Sequence, residues 1–378
     1  MRIVHTSDWH VGKLLRGASR IDEHRAVLAE IAEITDRERA DLVLVVGDLY
    51  ETAAPPPEAT AVVYDALLAL RETGAHVVVV GGNHDQQSQL ESVAPVFGRL
   101  GITVLGLPTG PDRAVVDVAG ARIALMPWMS QRWAIKTEQL MGATAAATAQ
   151  FYAARVARLL AWLSEGFAAD TINIVAAHCM VQGGMLGGGE RDAQLIDEYA
   201  VPTAAFPASA NYVALGHLHR AQQMPGAAPI WYSGSPIQVD FGEEHDTKQV
   251  LVVDIPERGA AKVSPVALTR GAALRTLRGT LAELEAMAPD VGDAHLRVFV
   301  RELPRAGLAD DVRMLLPTAV DVRVSPDVAP EDGRRAVRST ERASTPRDLF
   351  REYLVETGHA EDDRLVALFD ELHDAETV

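Results

Sequence analysis

Five short segments of this 378-residue chain carry residues that hold metals and move protons. They are Asp8-Trp9-His10, Gly47-Asp48, Gly82-Asn83-His84-Asp85, His178 and Gly216-His217-Leu218-His219. Taken singly, each is better explained by a satisfied polar side chain or a tight turn. Together they share one design, because each follows a strand-sized run of apolar residues. Ligands of open α/β sheets bind at the carboxyl ends of strands, so successive strand ends can bring the five segments together. Residues two apart in an extended segment point the same way. That spacing predicts that Asp8 and His10 face one ion together, and that His217 and His219 do likewise. The glycines permit sharp turns and close approach of the backbone to a ligand. Two carboxylates, one amide oxygen and several imidazoles suit Mn²⁺, Fe²⁺ or Zn²⁺, with Mn²⁺ a better match than Mg²⁺. Asp8, His10, Asp48, Asn83, His178, His217 and His219 are too many donors for one ion and suit two that share a carboxylate. Two ions roughly 3.5–4 Å apart clamp an in-line displacement at phosphorus and acidify a water.

The elements that must position these residues alternate along the first two thirds of the chain. Runs such as Leu42–Val46 and Val77–Val80 lack polar alternation, which predicts strands covered on both faces. Amphipathic stretches near Asp22–Arg39, Glu58–Arg71, Leu90–Leu100 and Thr144–Leu163 predict the covering helices. The composition shifts near residue 270. There, strands at Leu274–Leu277, Leu296–Val300 and Val320–Val324 and helices at Leu281–Met287 and Leu308–Leu315 predict a small βαβαβ unit. A connector bearing Arg334, Arg335, Arg338 and Arg342 reads as a solvated linker, with a binding strip as the alternative. Two short helices follow. Thr345 can cap the first, with Pro346 at its first position. Their apolar faces either pack on their own domain or dock on another protein's helix. The expected parts are residues 1–268, 269–328 and 329–378.

Hydrophobic residues at 48% and charged residues at 23% describe a globular chain. No run of about 18 apolar residues predicts a membrane span, and the N-terminus lacks the apolar core of a signal peptide. Cys179 stands alone, so an internal disulfide and a cysteine zinc site are excluded. These features read as cytoplasmic. The formal net charge of −17 opposes a polyanionic partner. Only residues 13, 136, 248 and 262 are lysines.

The order D-x-H, GD, GNHD, H, GHxH resembles that of the calcineurin-like metallophosphoesterases. The segments HTSDWHVGKLLRG, VVGDLYETAAPPPEA, VVVVGGNHD and WYSGSPIQVDFGEE are similar, more narrowly, to the SbcD-type nucleases of bacteria. The resemblance implies a four-layer αββα sandwich with a small α+β capping domain and a C-terminal helical tail. It implies that Asp8, His10 and His219 hold one metal, that Asn83, His178 and His217 hold the other, and that Asp48 bridges them. It implies that His84 faces the phosphate rather than a metal, as the catalytic residue. It further implies DNA exonuclease and endonuclease activity with two divalent ions, in repair and recombination. The cap would contact DNA, and the tail would bind an SbcC-type coiled-coil ATPase. A homodimer is implied, with the helices near Glu58–Arg71 and Leu90–Leu100 as candidate interface. Glu51 departs from archaeal and eukaryotic relatives, which carry a histidine there, and it takes no catalytic role. The YSGS and DFGE pieces read as a strand and loop, structural at most.

Two divalent ions outweigh the charge of Asp8 and Asp48 and dominate the field that a phosphate meets. Lys13, Arg16, Arg20, Arg132 and Lys136 are candidate contacts to a DNA backbone, or ordinary surface charges. The global charge still predicts weak, salt-sensitive DNA binding by this chain alone. A small-molecule phosphodiesterase or nucleotidase of the same family is the rival activity. A catalytically silent scaffold is disfavoured, because all seven ligand positions are filled.

Overall fold

The computed structural model describes residues 1–130, 145–188, 190, 200–256 and 261–328, together with 350, 354, 364–366, 368 and 369. In chain order the elements are β1 (Arg2–Thr6), a two-strand hairpin of β2 (Leu14–Leu15) and β3 (Ala18–Ser19), α1 (Ile21–Arg37), β4 (Leu42–Val46), α2 (Pro57–Glu72), β5 (His76–Val80) and α3 (Gln87–Arg99). Next come β6 (Ile102–Leu105), α4 (Pro111–Ala114), β7 (Val115–Val118), β8 (Ala121–Met126), α5 (Ala145–Leu163), β9 (Ile172–His178) and β10 (Tyr212–Gly216). The sandwich closes with β11 (Gln222–Met224), β12 (Ile230–Tyr232), β13 (Gln249–Asp254) and β14 (Lys262–Ala267). A small unit follows: β15 (Leu274–Gly279), α6 (Leu281–Met287), β16 (His295–Val300), α7 (Leu308–Leu315) and β17 (Ala319–Val324).

Two six-stranded sheets, ordered β14-β13-β1-β4-β5-β6 and β11-β12-β10-β9-β8-β7, stack face to face. Their unalternating strands serve two cores at once. Leu42, Leu44, Val46, Val78 and Val80 point into the core shared with the second sheet. Val43, Val45, Val77 and Val79 point the other way, onto α1, α2 and α3. Each such fully buried aliphatic side chain contributes roughly 1.5–3 kcal/mol. On the far side, Tyr152, Val156, Leu160 and Leu163 of α5 pack against the second sheet. The result is the four-layer αββα sandwich.

The small unit is a parallel sheet ordered β15-β16-β17, with Leu284 of α6 and Leu308 and Val312 of α7 packed on Leu296, Val298 and Val300. Thr280 caps α6 in a reciprocal capping box with Glu283. This unit rests on the sandwich through Leu15, Phe241 and Leu274, and through the bond from Thr276 Oγ1 to Glu244 at 2.6 Å.

Strand β14 goes unrecognised in the sequence because Pro265 interrupts it. It is an edge strand, where a missing N–H breaks no central ladder. The basic connector lies outside the described residues. Of the tail, the described residues are all helical, and the rings of Phe350 and Phe369 stack at 4.4 Å. Among the described residues, no helix is long and apolar enough to cross a membrane.

Candidate metal centre

The five segments meet where β1, β4, β5, β9 and β10 end. Backbone pairing of β1 with β4 continues past the strands: Asp8 N–H donates to Gly47 O (2.9 Å), His10 N–H to Asp48 O (3.0 Å) and Val11 N–H to Leu49 O (3.0 Å). The two sheets come closest here. A methyl group at Gly216 would lie 1.8 Å from the Val46 carbonyl oxygen, and one at Gly47 2.0 Å from His178 Nδ1. Glycine at both positions is therefore a steric requirement for this approach.

The spacing predicts extended segments, and the structure differs. Asp8, His10 and Asp48 all sit at φ near +50°, and His217 at +110°. Left-handed backbone at non-glycine residues stores strain of order 1–3 kcal/mol each, and such strain concentrates at functional sites. This conformation changes how the donors group. Asp8, His10 and His219 bring ligand atoms within 4.8 Å of one another, as do Asp48, His178 and His217. His217 and His219, expected from their spacing to share an ion, fall into different groups. Asp48 stands between the groups, its Oδ2 3.4 Å from His178 Nε2 and 3.9 Å from His10 Nε2. Asn83 Oδ1 lies 2.9 Å from both His178 Nε2 and His217 Nδ1. His84 anchors its main chain on the cluster, donating its N–H to Asp48 Oδ1 at 2.7 Å.

The hydrogen bonds around the rings show what the site is built to hold. His10 Nδ1 faces the Glu51 carboxylate at 3.0 Å, and His219 Nδ1 faces the Glu243 carboxylate at 2.9 Å. His178 Nδ1 faces the Val46 carbonyl at 2.8 Å. Carboxylates and carbonyls only accept, so each Nδ1 carries a hydrogen, and in the neutral ring each Nε2 turns a lone pair inward. The Nε2 atoms of His10 and His219 then face each other at 3.0 Å. That of His178 faces the oxygens of Asp48 and Asn83. His217 Nε2 is buried without a hydrogen-bond partner. Buried acceptors that converge on acceptors need a shared cation, either protons or metal ions. A mixed imidazole, carboxylate and amide set with carboxylate-oriented rings fits divalent metals.

The titration behaviour carries the same signature. Burial pushes His10 down to about 4 and His217 down to about 3. Burial likewise raises Asp8 to about 6. Burial opposes the charge of His178, yet the neighbouring Asp48 carboxylate raises it to about 9. Asp48 itself is held well below the usual carboxylate range by His178, His84 and His10, against the effect of burial. Asp85 is raised to about 7 by burial and by Asp48, and its carboxylate accepts the N–H groups of Gly82 (2.8 Å) and Tyr50 (3.1 Å). It thereby clamps the turn that carries Asn83 and His84.

Several residues escaped the sequence reading. Glu243, from the DFGEE segment, is fully buried between His219 and Lys248 Nζ (2.7 Å). Glu190 accepts the N–H groups of Gly187, Gly188 and His219. Trp128 stacks on His217, with ring centroids 5.0 Å apart. Glu51 has its carboxylate engaged by His10 and Lys13. Of the candidate DNA contacts, Arg20 is the one that the structure withdraws from the surface. Arg20 is buried, its guanidinium held by Glu23 and the Gln238 carbonyl. Arg16 pairs with Asp321 (3.3 Å) and Asp240 (3.8 Å), and Lys13 with Glu51 (3.0 Å). Lys13 and Arg16 thus have acidic neighbours, while the Arg16 side chain stays 41% exposed. Arg132 and Lys136 lie outside the described residues.

Residues 1–221 match the family model described as calcineurin-like phosphoesterase. The chain is 34% identical over 275 residues to the SbcD component of the SbcCD nuclease of Bacillus subtilis (strain 168), covering 72% of this chain and 70% of that one. It is 34% identical over 327 residues to the SbcD component from Rhodobacter capsulatus, covering 81% and 78%. It is 29% identical over 296 residues to that of Escherichia coli (strain K12), covering 76% and 73%. With the sandwich, the converging donors and these relatives in hand, the chain belongs to the calcineurin-like phosphoesterase family, on its branch of SbcD nucleases.

Proposed function

We propose that this protein is a metal-dependent DNA exonuclease and endonuclease, the nuclease component of an SbcC–SbcD-type complex. The observation that supports it most is the convergence of buried acceptor groups on two points flanking Asp48. Asp8, His10 and His219 would hold one divalent ion, Asn83, His178 and His217 the other, and Asp48 both. When bound, two Mn²⁺ ions supply positive charge at the scissile phosphate and acidify the attacking water.

The protein's own groups then have separable tasks. Glu51 and Glu243 keep the His10 and His219 rings turned inward. Ser7 donates to Asp8 Oδ2 at 2.6 Å, and both Asp8 oxygens accept the His217 N–H, so this carboxylate also fixes the turn after β10. His84 Nδ1–H donates to the Glu51 carbonyl at 2.7 Å. Its Nε2 is thus the atom left to contact the phosphate and, in the doubly protonated ring, to give a proton to the leaving oxygen.

The small unit of residues 269–328 is proposed as the DNA-contacting cap. Residues 329–378 are proposed as linker and docking helices for the coiled-coil ATPase. A homodimer through α2 and α3 and a cytoplasmic setting complete the reading.

The test is cleavage of end-labelled duplex and hairpin DNA with Mn²⁺, with and without the ATPase partner. His84→Ala is expected to lower cleavage by about 10²–10⁴-fold while its bound metal stays unchanged. Absence of cleavage by the wild type, with partner and ATP present, would instead point to a nucleotide-sized substrate.

A further inference from the structure

A continuous polar chain crosses the metal centre and has the same order of groups in both directions. Lys13 Nζ meets Glu51 Oε1 at 3.0 Å, and Glu51 Oε2 meets His10 Nδ1 at 3.0 Å. His10 Nε2 faces His219 Nε2 at 3.0 Å. His219 Nδ1 meets Glu243 Oε1 at 2.9 Å, and Glu243 Oε2 meets Lys248 Nζ at 2.7 Å. Two of the chain's four lysines end this chain of groups, in a sequence whose other 31 cationic side chains are arginines. A lysine is a point charge that can hold one carboxylate oxygen and leave the other for a ring.

The two arms differ in burial. Glu243 and Lys248 are sealed in the interior, whereas the Glu51 and Lys13 side chains remain 18% and 23% exposed. Glu51 also has a second hold on the site. Its carbonyl accepts from His84 Nδ1 at 2.7 Å, and its N–H donates to Val11 O at 3.2 Å. The His10 and His84 rings meet edge to face, with centroids 4.7 Å apart.

We propose that Glu51 is a positioning residue for both rings. Its carboxylate fixes His10 as the tautomer whose Nε2 lone pair faces the metal, and its carbonyl fixes His84 with Nε2 toward the substrate. This rests on the metal assignment above. The carboxylate has a requirement that an amide cannot meet. It must accept from His10 Nδ1–H and from the Lys13 ammonium together. A glutamine at 51 has one accepting oxygen. If that oxygen turns to Lys13, the amide NH₂ faces His10 Nδ1 and selects the wrong tautomer. If it turns to His10, two donors meet at Lys13. Removing Lys13 frees the amide oxygen for His10.

The experiment is calorimetric titration of the full-length metal-free chain with Mn²⁺. Wild type, Glu51→Gln, Lys13→Met and the Lys13→Met/Glu51→Gln double variant are compared, with thermal melting as a folding control. Glu51→Gln is expected to weaken Mn²⁺ binding by about 10- to 100-fold, and the double variant to recover part of that loss. Activity lost by Glu51→Gln at limiting Mn²⁺ should return as Mn²⁺ is raised, which activity lost by His84→Ala will not do. Unchanged Mn²⁺ affinity in a folded Glu51→Gln, or a double variant weaker than the single, would overturn the proposal. A Glu51→Gln that does not fold shifts the decision to Lys13→Met, where the carboxylate survives. That variant must then keep Mn²⁺ affinity within a few-fold of wild type, and a larger loss would overturn the proposal. Failure of the wild type to bind Mn²⁺ would overturn the metal assignment itself.

Discussion

His178 is the residue whose chemistry changes most between the bare and the metal-loaded site. Its raised pKa of about 9, against an ordinary 6.5, comes from the Asp48 carboxylate working against burial. A group with a raised folded-state pKa stabilises the fold fully below its unfolded value and loses that contribution as pH rises through the folded value. The metal-free protein should therefore lose stability between about pH 6.5 and 9, measured as a falling melting temperature. A bound divalent ion replaces the proton, because a ligand imidazole must be neutral. His10 and His217 are already neutral at pH 7, with pKa values of about 4 and 3, and Asp8, at about 6, is mostly ionised. Mn²⁺ binding at pH 7 is thus expected to release protons from His178 and from His219, which the Glu243 carboxylate raises against the effect of burial. Calorimetry in buffers of different ionisation enthalpy measures that release, and zero release would rule out His178 as a ligand.

At the scale of the elements, the site exists because the two stacked sheets approach each other closely at the carboxyl ends of their central strands. Gly216 closes β10 where the Val46 carbonyl of β4 would lie 1.8 Å from a methyl group. Gly216→Ala must push β10 away from β4, and with it the turn that carries His217 and His219. The clash is with backbone, so no side-chain rotation relieves it. The expected loss is about 1–3 kcal/mol of stability, read from urea unfolding, with Mn²⁺ affinity falling in parallel. Normal stability together with normal Mn²⁺ binding would show that the sheets separate freely there. Gly120, a turn glycine with nothing within 4 Å of an added methyl, is the matched control for steric contact, though its φ of +83° adds its own strain.

Across the whole molecule, charge opposes simple DNA binding. The chain carries a net charge of −17, and the cations of the loop after β1 are engaged by its own acids. Duplex affinity of this chain alone should be weak and fall steeply with salt, because nonspecific phosphate contacts are counterion-driven. Fluorescence anisotropy across a salt series measures the slope, and a tight, salt-insensitive complex would refute this. The small unit is seated on the segment that also supports the metal centre. Arg297 lies over the Phe241 ring at 4.3 Å, and Thr276 bonds Glu244. Between these two, Glu243 turns inward to His219. One short turn therefore faces the cap on one side and a candidate ligand on the other.

The sequence by itself determined the strands and the candidate donors at their ends. Asp8, Asp48, Asn83, His178 and His217 follow or end apolar runs, and such runs signal doubly covered strands wherever they occur. It also revealed the βαβαβ unit, since local periodicity marks short helices between strands. Spacing alone paired Asp8 with His10 as the fold does, but it also paired His217 with His219, which the fold separates, His217 having left-handed backbone where spacing assumes an extended segment. Glu243 and Arg20 were misread or passed over for a related reason. A charged side chain looks the same in sequence whether it faces solvent or is buried against a partner. Glu243 lies 24 residues from His219 and Arg20 218 residues from Gln238, and only the tertiary fold brings them into contact.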